Sequence, residues 1–335
     1  MKELSIIIVS FNSLAQTTRP CLESIFKNTT GIDFEVIVVD NDSKDGTQEF
    51  LAKAALTEPR LRVLVNSANL GYAAANNQGI EVAVGNCLVL LNSDTEVTPQ
   101  SMATLARYLR VHPEVGLVGP VTNSAGNEQR IYVTAKDIPG IIEEGRLWAE
   151  TSTGDTFETH RLGFFCVAMR KDHVERVGLL DVAFGLGFFE DDDYCIRSLK
   201  AGFRLVCLED VFVYHRGSES FKQQPSDAVK QLMKQNKRLL ESKHGRRYRP
   251  AASRTRQLEL AWGYLNSGTP KSVGHLLYKM ENRGLMARAS QPRSRLKRWF
   301  FSFRCRRLSG AIQRTREKLN QNPEPGQHGK SSNFT

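Results

Sequence analysis

The 335-residue chain has no run of eighteen apolar residues, and a strand pattern begins by residue 4. Neither a spanning helix nor a signal peptide is therefore expected. Its six cysteines, Cys21, Cys87, Cys166, Cys195, Cys207 and Cys305, include no C-x-x-C pair and no zinc-like spacing. Most sit in apolar surroundings, as small buried hydrophobes do, which fits a reducing cytosol. Acid is scarce at one end only. Residues 245–335 hold 20 Lys and Arg against 4 Asp and Glu, a net of +16. Residues 1–244 carry −6, so the overall +10 belongs to the tail. Such a tail suits an anionic surface, membrane lipid or nucleic acid.

What is present is one device repeated. Leu88-Val89-Leu90-Leu91 reads as a fully buried strand, with Asn92-Ser93-Asp94 at its carboxyl end. Leu4–Val9 runs into Ser10-Phe11-Asn12, Phe34–Val39 into Asp40-Asn41-Asp42-Ser43, and Arg62–Val65 is followed by Asn69-Leu70-Gly71-Tyr72. Helices are expected over residues 16–27, 45–55 and 73–84. This alternation predicts a doubly wound α/β sheet with the polar strand ends on one edge, where ligands bind. Each cluster also has a structural explanation: Asp94 or Asp40 capping a turn, Asn76-Asn77 on a solvated helix face. Four of them on one edge point to a site.

Further on, Met102–Val111 predicts a helix and Val115–Val121 a strand, whereas residues 122–160 lack a period and read as a loop over the site. Gly163–Arg170 resumes strand character, and Lys171–Val177 gives a short helix. Glu190-Asp191-Asp192-Asp193 precede Tyr194, Ile196 and Leu199 on helical spacing, which places four acids at a helix amino terminus. Capping explains one or two. Crowding raises the pKa of at least one and suits it to accept a proton. Val206–Leu208 and Val211–Tyr214 read as late strands ending at His215-Arg216-Gly217-Ser218; there His215 is either a ligand or a packing residue.

Residues 226–242 form an amphipathic pattern, and 254–289 a helical hairpin turning at Gly268-Thr269-Pro270. Residues 293–318 mix Arg and Lys with Trp299-Phe300-Phe301 and Phe303, a pattern suited to a helix in a membrane interface. RNA binding and a plain packing helix are the alternatives; the acidic remainder makes nucleic acid the unexpected partner. From Asn320 the polar, Pro- and Gly-containing tail is expected to be disordered. The expected domains are 1–222, a basic helical extension over 223–319, and the tail over 320–335.

Ser5–Asn12, Val38–Ser43, Asn69–Gly79 and Leu90–Asp94, in this order and spacing, resemble family 2 glycosyltransferases, in particular the rhamnosyltransferase-like subgroup. The resemblance covers about residues 4–220. It implies a GT-A fold, a mixed α/β sheet flanked by helices, whose first half binds a nucleotide-sugar donor. It further implies that Ser10 and Asp40 contact the base and that Asn69 and Asn76 line the ribose side. Asn12, Asn41 and Asn92 would complete the donor site. Asp94, with His215, would hold a divalent metal (Mg2+ or Mn2+) on the diphosphate. The family often writes its metal motif Asp-x-Asp, and here the first position is Asn92, an acceptor without charge. The acidic run resembles the family's Glu-Asp-x-Asp element, with Asp191 as catalytic base, Glu190 orienting the site, and Asp193 capping the helix or meeting the acceptor. The extra acid makes Asp192 the competing register.

The implied activity is inverting transfer of a sugar, with rhamnose a candidate, to a glycan or lipid-linked saccharide in cell-surface polysaccharide synthesis. The expected location is the cytoplasm, including the inner face of the plasma membrane. A sugar nucleotidyltransferase would want a Gly- and Arg-rich phosphate loop after the first strand, and residues 10–14 have none. A non-catalytic nucleotide-sugar binding module is the other alternative, kept open by Asn92.

Overall fold

The computed structural model describes residues 2–217, 226–250, 252–266, 272–289, 292 and 294–321. Ser218, the Gly268-Thr269-Pro270 turn and residues 322–335 lie outside them. Two compact units divide the chain: Met1–Gln129 with Ala135–Arg249, and Arg130–Thr134 with Pro250–Thr335.

In the first unit β1 (Leu4–Ser10), α1 (Arg19–Asn28), β2 (Phe34–Asp40), α2 (Thr47–Thr57), β3 (Leu61–Val65), α3 (Tyr72–Val82) and β4 (Cys87–Asn92) alternate. Strands β1, β2 and β4 are almost wholly buried, as their β-branched runs require. They pair in parallel in the order β3-β2-β1-β4, with Ser10 opposite Asp40 and Val9 opposite Asn92. The polar strand ends are thus flush along one edge.

The sheet then becomes mixed. Next come β5 (Thr95–Val97), α4 (Ser101–Val111), β6 (Val115–Val121), α5 (Ile138–Glu150), β7 (Thr156–Thr159), β8 (Cys166–Arg170), α6 (Lys171–Val177), α7 (Glu190–Lys200) and β9 (Arg204–His215). β8 runs antiparallel between β4 and β6, β9 is parallel to β6, and β5 and β7 pair antiparallel with β9. Leu22 and Ile25 of α1 and Met102, Leu105 and Leu109 of α4 close one face of the core. Helix α8 (Ser226–His244) belongs to this unit, although the expected domain boundary lay at residue 222.

Two expectations from the sequence are corrected. Residues 122–160 are not one loop: they contain α5 and β7. Helix α5 is started by Asp137, whose carboxylate accepts from the Gly140 amide at 2.8 Å, with Pro139 in its first turn. The two late strands are one. A register shift after Pro120 skips from Leu208 to Phe212, so β9 continues past the irregularity and reaches β5.

The second unit contains α9 (Ser253–Asn266), α10 (Val273–Arg288) and α11 (Arg295–Gln321). Leu258, Ala261, Met280 and Ala287 pack against Phe301, Cys305, Leu308 and Ala311. Among the described residues no helix is long and apolar enough to cross a membrane.

Helix α5 seats on β9 at Gly145, where an added Cβ would lie 2.3 Å from the Phe212 ring. Gly145→Leu should therefore lower the unfolding temperature by several degrees, since overpacking a core costs about 1–3 kcal/mol. An unchanged scanning-calorimetry midpoint would show that α5 does not sit there.

Candidate active site

The site begins where β4 ends. The chain turns through Ser93 and Asp94 into β5, and the Thr95 hydroxyl donates to the Asn92 carbonyl at 2.7 Å. Thr95 pairs with His215, the last residue of β9, and the Arg216 amide donates to the Asp94 carbonyl at 2.9 Å. This pairing brings His215 Nε2 to 3.4 Å from Asp94 Oδ1. His215 Nδ1 stands 2.8 Å from the Ser124 carbonyl, which can only accept, so the proton is on Nδ1. The Phe165 ring stacks on the imidazole with centroids 5.1 Å apart and fixes its plane.

A neutral His215 would then turn a lone pair toward a carboxylate, an arrangement that favours a cation between them. Burial disfavours the imidazolium, but Asp94 and the Ser124 carbonyl outweigh it and raise the His215 pKa. Close by in the chain, Asn92 Oδ1 is buried and has no hydrogen-bond partner among the described residues. These acceptor atoms fit a hard divalent cation. Among the described residues no group of three or more His, Cys, Asp or Glu side chains could hold a metal. Asp94 and His215 bring two such side chains together, one short of that number.

A cavity of about 560 Å³ opens from this corner. Asn41, Asn69 and Asn92 are among the residues that line it. Asn41 donates to the Gly71 carbonyl at 3.2 Å, and Asn69 Oδ1 accepts from the Gly71 amide at 3.0 Å. Gly71 has φ +84°, and a Cβ there would fall 2.1 Å from the Gly185 carbonyl oxygen, so only glycine lets these two segments meet.

Ser10, Asn12, Asp40 and Asn76 stand behind the wall and do not line the cavity. Asp40 is fully buried and accepts from Ser10 Oγ, Ser43 N and Oγ, and Gln48 Nε2 at 2.6–3.0 Å. Its acceptor positions are spent on holding the loop that carries Asn41. Asn12 Oδ1 accepts from the Lys44 amide at 2.9 Å. Asn76 is buried and donates back to the Tyr72 carbonyl at 2.9 Å.

The acids occupy the opposite wall at the start of α7. Glu190, Asp191 and Asp192 line the cavity. Asp193 does not: it is fully buried, ion-paired with Arg197 and Lys243 at 2.8 and 2.9 Å and hydrogen-bonded to His244 at 2.8 Å, away from the cavity lining. Asp192 accepts from the Tyr248 hydroxyl at 2.7 Å, and Arg161 is 3.9 Å away. Asp191 accepts from the Asp192 amide at 2.8 Å and is partly exposed on the wall. Burial pushes the Asp191 carboxyl above its ordinary range, and burial with the Asp191 charge does the same to Glu190. Proton affinity is thus concentrated beside the cavity.

Sequence reasoning missed Arg161, Tyr248 and Asn236. Arg161 Nη1 donates to the Tyr248 hydroxyl at 2.9 Å across 87 positions, and no local pattern marks such a pair. Asn236 of α8 sends its amide to the carbonyls of Phe184, Gly187 and Phe188 at 2.7, 2.8 and 3.1 Å. It braces a strained turn, because Phe188 and Phe189 both have positive φ, 73° and 75°. Asn236→Ala should therefore raise amide exchange over residues 184–191 by about tenfold or more, as loss of a buried donor implies. Unchanged exchange measured by mass spectrometry would show that the turn holds itself.

A model of the family described as glycosyl transferase family 2 matches residues 5–178. The chain is 26% identical over 218 residues to an N-acetylglucosaminyl-diphospho-decaprenol L-rhamnosyltransferase of Mycobacterium tuberculosis, covering 57% of this chain and 69% of that protein. It is 26% identical over 233 residues to an uncharacterized protein of Sinorhizobium fredii, covering 65% of this chain and 25% of that one. Among solved structures, a mannosyltransferase from Pyrobaculum calidifontis in complex with GDP-Man and Mn2+ superposes with a TM-score of 0.53 at 16% identity, over 96% of this chain and 88% of the other. That likeness establishes the GT-A fold. With the family match spanning more than half of its length, the chain belongs to glycosyl transferase family 2 and is a glycosyltransferase.

Proposed function

We propose that the protein is an inverting enzyme that moves a sugar from a nucleotide-diphospho-sugar to a hydroxyl of a glycan or lipid-linked saccharide in cell-surface polysaccharide synthesis. Rhamnose is the sugar suggested by the name of the mycobacterial relative. The observation that carries the reading is the asymmetry of the acids. Burial raises the proton affinity of both Asp191 and Asp192, but the Asp192 carboxylate is engaged by the Tyr248 hydroxyl, whereas Asp191 is partly exposed on the cavity wall.

Asn41 and Asn69 would orient the nucleotide, and Asp94 and His215 would hold a divalent cation against the diphosphate. A bound cation would supply Lewis-acid stabilisation of the leaving group. Asp191 takes the proton of the acceptor hydroxyl as its oxygen bonds to the anomeric carbon. The bond from that carbon to the diphosphate oxygen breaks, and its electron pair leaves with the nucleoside diphosphate. Tyr248 and Arg161 keep Asp192 in place beside the base, and raised proton affinity keeps Glu190 uncharged over more of the pH range.

Asp191→Asn should leave folding and donor binding intact and lower transfer by about two orders of magnitude or more. If Asp192→Asn abolishes transfer and Asp191→Asn does not, the base is Asp192; if neither matters while the donor turns over, the base lies elsewhere. A donor that binds but never turns over would favour the non-catalytic module. The base must be unprotonated, so kcat/KM should be lost as pH falls through a value above the ordinary carboxylate range, and recover as pH rises.

At the other wall, Asp94→Ala and His215→Ala should each reduce the gain in nucleoside diphosphate affinity that Mn2+ provides. Calorimetric titration with and without Mn2+ measures it. An unchanged gain would remove that residue from the site.

A further inference from the structure

Helix α11 carries two apolar stripes where a helix buried on one side needs one. Phe301, Cys305, Leu308 and Ala311 face the core of the second unit. On the opposite side, Leu296, Trp299, Phe300 and Phe303 are 66%, 59%, 55% and 47% exposed. At 100° per residue, Leu296, Phe300, Phe303, Arg307, Gly310 and Arg314 fall on one line along the helix. The apolar stripe therefore runs on into arginine.

Arg307 and Arg314, with neighbouring Arg306, meet Trp262 and Phe303 around a groove of about 470 Å³. The Arg307 guanidinium stands 6.0 Å from the Trp262 ring centroid. Among the described residues none of these three arginines is paired with an acid. Residues 295–321 hold nine Lys and Arg and one acid, Glu317.

We propose that this face of α11 docks on an anionic lipid bilayer. Leu296, Trp299, Phe300 and Phe303 enter the boundary between headgroups and acyl chains, and the groove of Arg306, Arg307 and Arg314 takes lipid phosphates. Hydrocarbon without polar handles gains nothing from water, and an aliphatic Leu296 at the head of the ridge is of no use for stacking on bases. The chemistry is that of an interfacial helix: an apolar ridge for insertion and guanidinium groups for phosphate. The exposed stripe, left to water, would be an aggregation liability.

The test uses the full chain with extruded vesicles of phosphatidylcholine alone or equimolar with phosphatidylglycerol. The protein should sediment with the anionic vesicles and scarcely with the neutral ones, and Trp299 emission should shift to the blue. Arg307→Glu/Arg314→Glu should weaken this binding at least tenfold and remove most of its salt dependence. Trp299→Ser/Phe300→Ser/Phe303→Ser alters only exposed side chains; it should weaken binding at least tenfold and abolish the emission shift while leaving the unfolding temperature unchanged. Equal sedimentation of wild type and both variants overturns the proposal. Binding to single-stranded RNA in place of vesicles, lost in the same variants, overturns it too and assigns the face to nucleic acid. Sugar transfer is not part of the readout, so either proposal can fail alone.

Discussion

The pairing of Thr95 with His215 is the constraint on which the site depends. Asp94 comes from the tight turn after β4, in the middle of the sheet, whereas His215 ends a strand more than a hundred residues later. Only because β9 bulges after Leu208, continues past β6 and adds β5 as an antiparallel partner do the two side chains come within 3.4 Å. Everything else about this corner follows from that ladder. The Ser124 carbonyl fixes the imidazole tautomer, and Phe165 holds the ring plane.

The opposite wall is held by a different kind of force. Two consecutive phenylalanines with positive φ are costly, of order 1–3 kcal/mol each, and persist only where the surroundings over-determine them. Here α8 does so through Asn236, and the apolar cluster of Phe184, Ile196 and Leu240 adds packing. The strain turns the chain sharply into α7, so that Glu190, Asp191 and Asp192 meet the cavity while Asp193 faces α8. Neighbouring acids thereby receive different tasks: one engaged by a tyrosine, one sealed in an ion cluster, one on the wall.

Much of the fold was legible in the sequence, because buried parallel strands write themselves as apolar runs with polar ends. The runs at Ile6–Val9, Val36–Val39 and Leu88–Leu91 allow little else. The acidic start of α7 and the histidine at the end of β9 were legible for the same reason. Helix α5 was not, since Pro139, Gly140 and Gly145 weaken its helical pattern, although Asp137 followed by Pro139 was a start signal. Strand β5 is too short to show a period. The four donors that Asp40 meets within its own chain were not legible, because a carboxylate at a strand end looks alike with or without them. Arg161 and Tyr248 were beyond reach, being joined only by the tertiary fold.

The proposed function makes the two acidic corners of one cavity different in kind, with Asp94 and His215 for a cation and the acids of α7 for a proton. The alternative is physically reasonable, since three crowded carboxylates could attract a cation themselves. Anomalous scattering from Mn2+ in crystals grown with Mn2+ and a nucleoside diphosphate separates the two most directly. The proposed function predicts a single peak coordinated by Asp94 and His215, with none at residues 190–192. A peak bound by Glu190, Asp191 or Asp192 would contradict it.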